Sequence, residues 1–234
     1  DSEIKQTAEE VSIKVGKAVM GEKQKLSSVI DFKGKVSGST SENPHIARRT
    51  TTETSGVTSL RTPSSFNGLI EMDAGNLGQI QTLNSQTLSS GATNNGAISQ
   101  HAFSFNLLEH VQRTYGTIPG VTTADKVAWL KANVSKLTFN WWGFGSSPSG
   151  NKATIEAWAG SKWTDKWNTS TASSSSKLSN SVSGAAVQGN YIGTDGFIHF
   201  LAYAEPSDGT TASVINTDYV ELEVELSMNP IADR

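Results

Sequence analysis

Apolar and polar residues alternate along the last hundred residues of the chain, as they do in half-buried β-strands. Apolar side chains occupy every second position at Val220, Leu222, Val224 and Leu226, with glutamates between them. Residues 137–141 and 153–157 alternate in the same way. Residues 196–204 are apolar on both faces, which is typical of a central strand. Strand after strand with turn residues between them predicts a sandwich or a barrel.

Within these strands, the parity of each position predicts the face on which its side chain lies. One set is expected to point into the core, and it comprises Phe139, Trp141, Ile155 and Ala157. The other set is expected to face solvent, a second layer or a neighbouring molecule, and it comprises Trp142, Phe144 and Trp158. The short turn at residues 159–161 predicts a hairpin between Trp158 and Trp163.

Two helical patterns interrupt the strands between residues 104 and 133. Their apolar residues recur at helical spacing, at Leu107, Leu108, Val111 and Tyr115 in the first and at Val127, Leu130 and Val134 in the second. Ser104 or Asn106 can cap the first helix, and Gly116 stands where it ends. Thr122 or Thr123 opens the second helix.

Upstream of these helices the pattern is less regular. Residues 29–32 and 68–72 resemble strands, and residues 78–83 alternate with the period of a half-buried strand. Residues 37–40 and 89–96 are polar and contain glycine, so they are interpreted as loops.

The first 26 residues are charged and lack proline. Their apolar positions average 3.5 residues apart and form one helical seam, at Ile4, Ala8, Val11, Val15 and Ala18. Two heptads are too short to be stable alone, so we expect this segment to be the end of a parallel coiled coil that needs partner strands. The alternative is one amphipathic helix lying on its own domain. Because the sequence begins with Asp1 and not with Met, we expect the chain to be a piece of a longer protein.

Composition and charge exclude several classes of partner. The net charge of −3 offers no basic surface for a nucleic acid. No apolar run approaches the roughly 20 residues of a membrane span, so no membrane partner is expected. There is no cysteine, so disulfides and thiolate metal sites are excluded.

Motifs that would indicate catalysis are missing. The four histidines are scattered, without the spacing of metal ligands, and no Gly-x-Ser-x-Gly sequence occurs. The loop at residues 143–152 lacks the Gly-Lys-Ser/Thr and the helix of a phosphate-binding loop, so it is interpreted as a hairpin loop. A glycosidase would need two facing carboxylates, and the sequence places no two together. We therefore predict no catalytic residue and no cofactor.

No metal is predicted either, because Asp195-Gly196 and Asp208-Gly209 are short turns and not the spaced ladder of a calcium loop. A structural Ca²⁺, which many jelly-roll modules hold, is the alternative left open.

Tryptophan gives the strongest chemical signal. Five of the six tryptophans fall between residues 141 and 167. An indole offers an apolar platform to the flat C–H face of a sugar, and its N–H adds a polar edge. The predicted saccharide contacts are Trp142, Trp158, Trp163 and Trp167, together with Tyr203. Packing in the core is the competing interpretation of each.

Two stretches resemble known phage proteins. Residues 2–8 and 11–15 resemble a motif in helical connectors of tail-associated proteins from siphophages of Gram-positive bacteria. Residues 115–120, 124–133 and 217–221 resemble a C-terminal module of such phage and prophage proteins, which has carbohydrate-binding jelly-roll character. The resemblance implies a trimeric baseplate or tail-fibre module in the virion that recognises host cell-wall polysaccharide and contacts other tail proteins.

The predicted fold is mainly β. It comprises a helical connector at residues 1–26 and a jelly-roll-type β-sandwich at residues 27–234, with two short helices inserted near 104–133. The predicted function is adhesion to cell-wall polysaccharide without catalysis. The alternative is a purely structural baseplate or fibre module, in which the tryptophans pack protein against protein.

Overall fold

A computed structural model describes residues 23–51 and 56–228, in which two antiparallel sheets pack face to face. The strands are β1 (Gln24–Asp31), β2 (Ile46–Arg49), β3 (Ile70–Glu71), β4 (Leu88–Ala92), β5 (Gln100–Asn106), β6 (Val134–Ser146), β7 (Ala153–Ala159), β8 (Lys162–Trp163), β9 (Asn168–Ser170), β10 (Ser176–Ser183), β11 (Phe197–Ala204) and β12 (Ser213–Met228). The helices are α1 (Ala74–Ile80), α2 (Leu107–Tyr115) and α3 (Thr123–Asn133), with a 3-10 helix at Pro63–Gly68 and a π-helical turn at Val187–Tyr191.

The order of the strands is that of a jelly roll. The first sheet runs β1-β12-β6-β10, and β4 pairs with the other end of the long strand β12. The second sheet runs β3-β2-β5-β11-β7, and β8 and β9 both pair with β7. The strand orders β1-β12-β6-β10 and β5-β11-β7-β9 are those of the two facing four-stranded sheets of an eight-stranded jelly roll. The predicted mainly β, jelly-roll-type sandwich is confirmed for the described residues.

Aromatic rings fill the space between the sheets. Phe139 of β6 and Phe200 of β11 stack with centroids 3.9 Å apart, which ties one sheet to the other. Trp141 is fully buried, and its Nε1 donates a hydrogen bond to Thr217 Oγ1 at 2.9 Å. Ile155 and Ala157 are also fully buried. The inward set predicted from strand parity is therefore confirmed.

Helices α2 and α3 connect β5 to β6, as predicted. The Asn106 side chain caps α2 by accepting from Glu109 N at 3.0 Å, and Gly116 ends it with φ +95°. Ser104 does not cap, because its hydroxyl bonds to a side chain on the outer face of the sheet. Thr122 caps α3 in a capping box with Asp125.

Thr122→Ala is expected to lower the free energy of unfolding by about 1 kcal/mol. The substitution removes the hydroxyl that accepts from Asp125 N at 3.1 Å and donates to Asp125 Oδ2 at 2.8 Å. Urea denaturation measures the loss. The matched control is Thr123→Ala, one residue into the helix at an exposed position, and an equal loss in both variants would contradict the capping role.

Two predictions upstream of β5 were wrong. Residues 78–83 do not form a strand, because residues 78–80 belong to helix α1. The Asp73 side chain caps this helix, and Leu77 and Ile80 are buried on one of its faces. Residues 89–96 are not all loop, since β4 covers Leu88–Ala92 and pairs with β12. The Asp73 cap therefore favoured a helix in the first segment, and pairing with β12 favoured a strand in the second.

The predicted N-terminal seam lies outside the described residues. Strand β1 begins at Gln24 and pairs with β12 from Met228 onward. Residues 24–26, the end of the range predicted to be helical, are therefore in a strand. Their extended conformation follows from pairing with the alternating strand β12, which buries Leu226.

Candidate functional site

The outer face of the second sheet carries a row of side chains that crosses four strands. The register places Ile46 of β2 opposite Ser104 of β5, and Ser104 opposite His199 of β11. Trp158 follows Ala157, the last residue of β7 that pairs with β11, and so lies beside His199. The row runs perpendicular to the strands, because antiparallel partners stand directly opposite one another.

Part of this face is covered by the segment that precedes β3. Phe66 and Leu69 are buried there against Ala102, Leu201 and Tyr203. The covering segment stops short of the Ser104–His199 row, where Ser104 is buried but Ile46, His199 and Trp158 are partly exposed beside a wall formed by the 3-10 helix.

The accessible region consists of two adjoining cavities, which together we call the outer groove. The first, of about 430 Å³, is lined by residues that include Arg48, Phe66, Asn67, Asp195, Phe197 and His199. The second, of about 310 Å³, shares Pro63, Asp195 and His199 with the first and adds Lys131, Trp158, Asn190 and Tyr191. Because they share residues, the cavities form one depression across β2, β5, β11 and β7.

Aromatic rings line the outer groove. Phe197 and His199 stack in parallel with centroids 6.0 Å apart and an interplanar angle of 5°. Phe66 meets His199 edge to face at 5.7 Å. Trp158 is braced by Trp163 at 5.1 Å, and Trp163 in turn stacks on Phe66 at 6.2 Å. Packing of this kind holds the rings in fixed orientations before any ligand binds.

Two polar groups of the outer groove, His199 and Asp195, have hydrogen-bond partners within the protein. His199 Nδ1 and Ser104 Oγ are hydrogen-bonded at 3.0 Å. Burial lowers the pKa of His199 to about 4, so its ring is neutral at pH 7. Asp195 Oδ1 accepts from Phe197 N at 3.0 Å, and among the described residues no hydrogen bond engages Oδ2, which can accept from a ligand hydroxyl.

Two of the five predicted saccharide contacts lie at this site. Trp158 lines the second cavity. Trp163 pairs with Trp158 across the predicted hairpin, but its Nε1 donates to Arg61 O at 3.1 Å, so it supports the site from the side.

The other three predicted contacts do not belong to the outer groove. Tyr203 is only 9% exposed and its hydroxyl donates to Glu156, so the structure places it in the packing beneath the segment that precedes β3. Trp167 stacks on Phe200 at the margin of the core. Trp142 lies on the outer face of the opposite sheet, under the ammonium group of Lys177 at 4.7 Å.

Most residues of the outer groove were not predicted from the sequence. They include Arg48, Asn67, Lys131, Asn190, Asp195, Phe197 and His199. Phe197 and His199 carried a signal, because they occupy alternate positions of a predicted strand. The others come from a short strand, a helix and loops, and only the fold brings them together.

The family comparison covers this whole region. Residues 32–226 match a family model described as "Uncharacterized protein, C-terminal domain". This chain belongs to the AF_1625_C family. The AF_1625_C match extends from the end of β1 to near the end of β12 and includes every residue named above as lining the groove. No curated protein and no solved structure matches the chain.

Neither a cluster of metal-ligating side chains nor a membrane-spanning helix is found in the described part of this AF_1625_C domain. Within residues 23–51 and 56–228, no group of three His, Asp or Glu side chains is arranged to hold a metal ion. In the same ranges, the helices are all too short or too polar to cross a bilayer.

Proposed function

We propose that this chain is a non-catalytic module that attaches a phage tail or baseplate to host cell-wall polysaccharide, and that the saccharide binds in the outer groove. The observation that carries the proposal is the row of rings at Phe197, His199 and Trp158 in one open depression. The phage setting rests on the sequence resemblance described above.

The rings and polar groups suit a saccharide in different ways. The half-buried Trp158 presents an indole whose apolar face packs against sugar C–H groups. Asn67, Asn190 and Asp195 are exposed at the rim and offer donors and acceptors for hydroxyl groups. A mostly apolar cleft with a few polar groups is the usual form of a small-ligand site.

A chain laid along the row would cover several sugars. Three strand spacings separate β2 from β7, which amounts to about 14 Å. This length accommodates an internal stretch of linked pyranose rings. Weak binding at one such site is strengthened when several copies act together, as in the predicted trimer.

Trp158→Ala is expected to reduce binding to isolated host cell walls at least about ten-fold, a loss of about 1.4 kcal/mol. The indole is the largest platform in the outer groove, so its removal takes away most of the apolar contact. Pull-down of the purified chain on cell walls, followed by calorimetry with released polysaccharide, measures the change.

Trp142→Ala is the matched control, because Trp142 is a half-buried tryptophan on the opposite sheet. We expect it to bind like the unmodified chain. Equal binding by both variants would remove the outer groove as the site. Absence of wall binding by the unmodified chain would favour the structural role, and new reducing ends in the polysaccharide would contradict the absence of catalysis.

A further inference from the structure

We infer that the outer groove selects an anionic polysaccharide, whose acidic substituents pair with Arg48 at one end and Lys131 at the other. This inference rests on the proposed function and narrows its ligand class. The ligand chemistry is a linear glycan that carries carboxylate or phosphodiester groups.

Arg48 is available to a ligand. It points outward from β2 into the first cavity and is half-buried. Its cross-strand neighbour is Glu71, whose Oε1 accepts from Gly38 N at 3.1 Å. In the part of the chain that the structure describes, the ion pairs involve other residues, so the Arg48 guanidinium keeps its donors for a ligand.

Lys131 is the corresponding cation of the second cavity. It lies in the last turn of α3, is half-buried, and lines the cavity together with Trp158. Like Arg48, it takes part in none of the ion pairs formed among the described residues. The two cations therefore flank the platform formed by His199 and Trp158.

The charge of the outer groove is opposite in sign to that of the whole chain. The charged residues that line its two cavities are Arg48, Lys131 and Asp195, which sum to +1, whereas the chain carries −3. Both cations are half-buried, whereas Asp195 is exposed. Partial burial strengthens their attraction for an anion, and solvent screens Asp195 more strongly.

His199 does not add to this charge near neutral pH. Its pKa is lowered to about 4 by burial, with opposing effects from Asp195, which raises it, and Arg48, which lowers it. The ring contributes a neutral stacking surface, and the anion selectivity comes from the two permanent cations. We therefore expect the preference for anionic glycans to persist from pH 6 to pH 8.

The test compares three polymers on the unmodified chain: polygalacturonate as the carboxylate probe, poly(glycerol phosphate) as the phosphodiester probe, and dextran as the neutral probe. Calorimetry in low salt and in about 0.5 M NaCl, where the Debye length falls below about 5 Å, measures affinity and its salt dependence. We expect at least one anionic polymer to bind at least ten-fold more tightly than dextran, with an advantage that high salt removes. The anionic polymer that binds shows whether the groove recognises carboxylate groups or phosphodiester groups.

The variants are Arg48→Gln, Lys131→Gln and the double substitution. We expect the double variant to lose about ten-fold in affinity for the anionic polymer and most of its salt dependence, while Arg48→Lys retains most of the binding. Lys177→Gln, on the opposite sheet, is the matched control and should bind normally. Thermal unfolding of each variant checks that the fold is retained.

Two results would overturn the inference. One is binding of dextran as tight as that of both anionic polymers; the other is a double variant that binds cell walls normally. If Trp158→Ala still abolishes wall binding in those cases, saccharide binding in the outer groove stands and only its anion selectivity fails. If Trp158→Ala also has no effect, the proposed function fails with it.

Discussion

Gly145→Ala is expected to destabilise the sandwich by about 3 kcal/mol or more, because the new methyl group has no space. A Cβ at this position of β6 would overlap the carbonyl oxygen of Lys152 and lie 2.8 Å from the carbonyl carbon. These are backbone atoms of the residue just before β7, so no side chain can rotate away. For a domain of this size, the loss corresponds to a fall in Tm of about 10 °C, which differential scanning calorimetry measures.

Gly78→Ala is the matched control for this experiment. Gly78 lies in helix α1 without a positive φ, and a methyl group added there would meet no atom within 4 Å. Alanine there is expected to raise stability by about 0.5–1 kcal/mol, because it reduces the entropy that glycine loses in a helix. A Gly145→Ala variant as stable as the unmodified chain would show that β6 and β7 do not approach so closely.

Acidification from pH 6.5 to pH 4 is expected to lower the free energy of unfolding by about 3 kcal/mol for each deeply buried histidine. Burial lowers the pKa of His45 and of His101 to about 3, from 6.5. Between pH 6.5 and about pH 3 these histidines are protonated in the unfolded chain but neutral in the folded chain. Their contribution to the free energy of unfolding is therefore fully present above pH 6.5 and is lost as the pH falls. Urea denaturation at several pH values measures the slope.

Substitutions at His101 and at its hydrogen-bond partner Ser90 separate the effect of protonation from the effect of losing the hydrogen bonds. Its ring is fully buried and joins Thr217 Oγ1 and Ser90 Oγ, each at 2.8 Å. His101→Gln should reduce the pH slope by about 1.4 kcal/mol per pH unit, since one titrating group is removed. Ser90→Ala breaks the same network without removing a titrating group, so it should lower stability but keep the slope. Identical slopes in both variants would exclude His101 as a source of the acid sensitivity.

The features that the sequence predicted well depend on local order. Period-two alternation identified β12, and the apolar run at 196–204 identified the central strand β11. Strand parity placed Trp141 in the core. Helices α2 and α3 were found because their caps and apolar faces lie within a few residues of each other.

The features that the sequence missed depend on contacts between distant residues. Gly143 and Gly145 were interpreted as part of a loop, yet both lie in β6, where a side chain would collide with a neighbouring strand. Tyr203 has the outward parity of its strand, but the segment before β3 covers it. The outer groove forms because the pairing of β2, β5, β11 and β7 aligns one residue from each strand. Sequence composition and periodicity do not determine which residues of distant strands stand opposite one another.

The segment at residues 57–69 has a consequence for how such a domain can diversify. It supplies Phe66 and Asn67 to one wall of the outer groove, yet it lies in the long excursion between β1 and β5, outside the eight jelly-roll strands. Most of the hydrophobic core forms between the sheets without it. Grafting a different sequence onto this excursion would therefore exchange one side of the proposed saccharide-binding surface while the sandwich still supplies the stability of the fold, which makes it the natural place to engineer a new specificity.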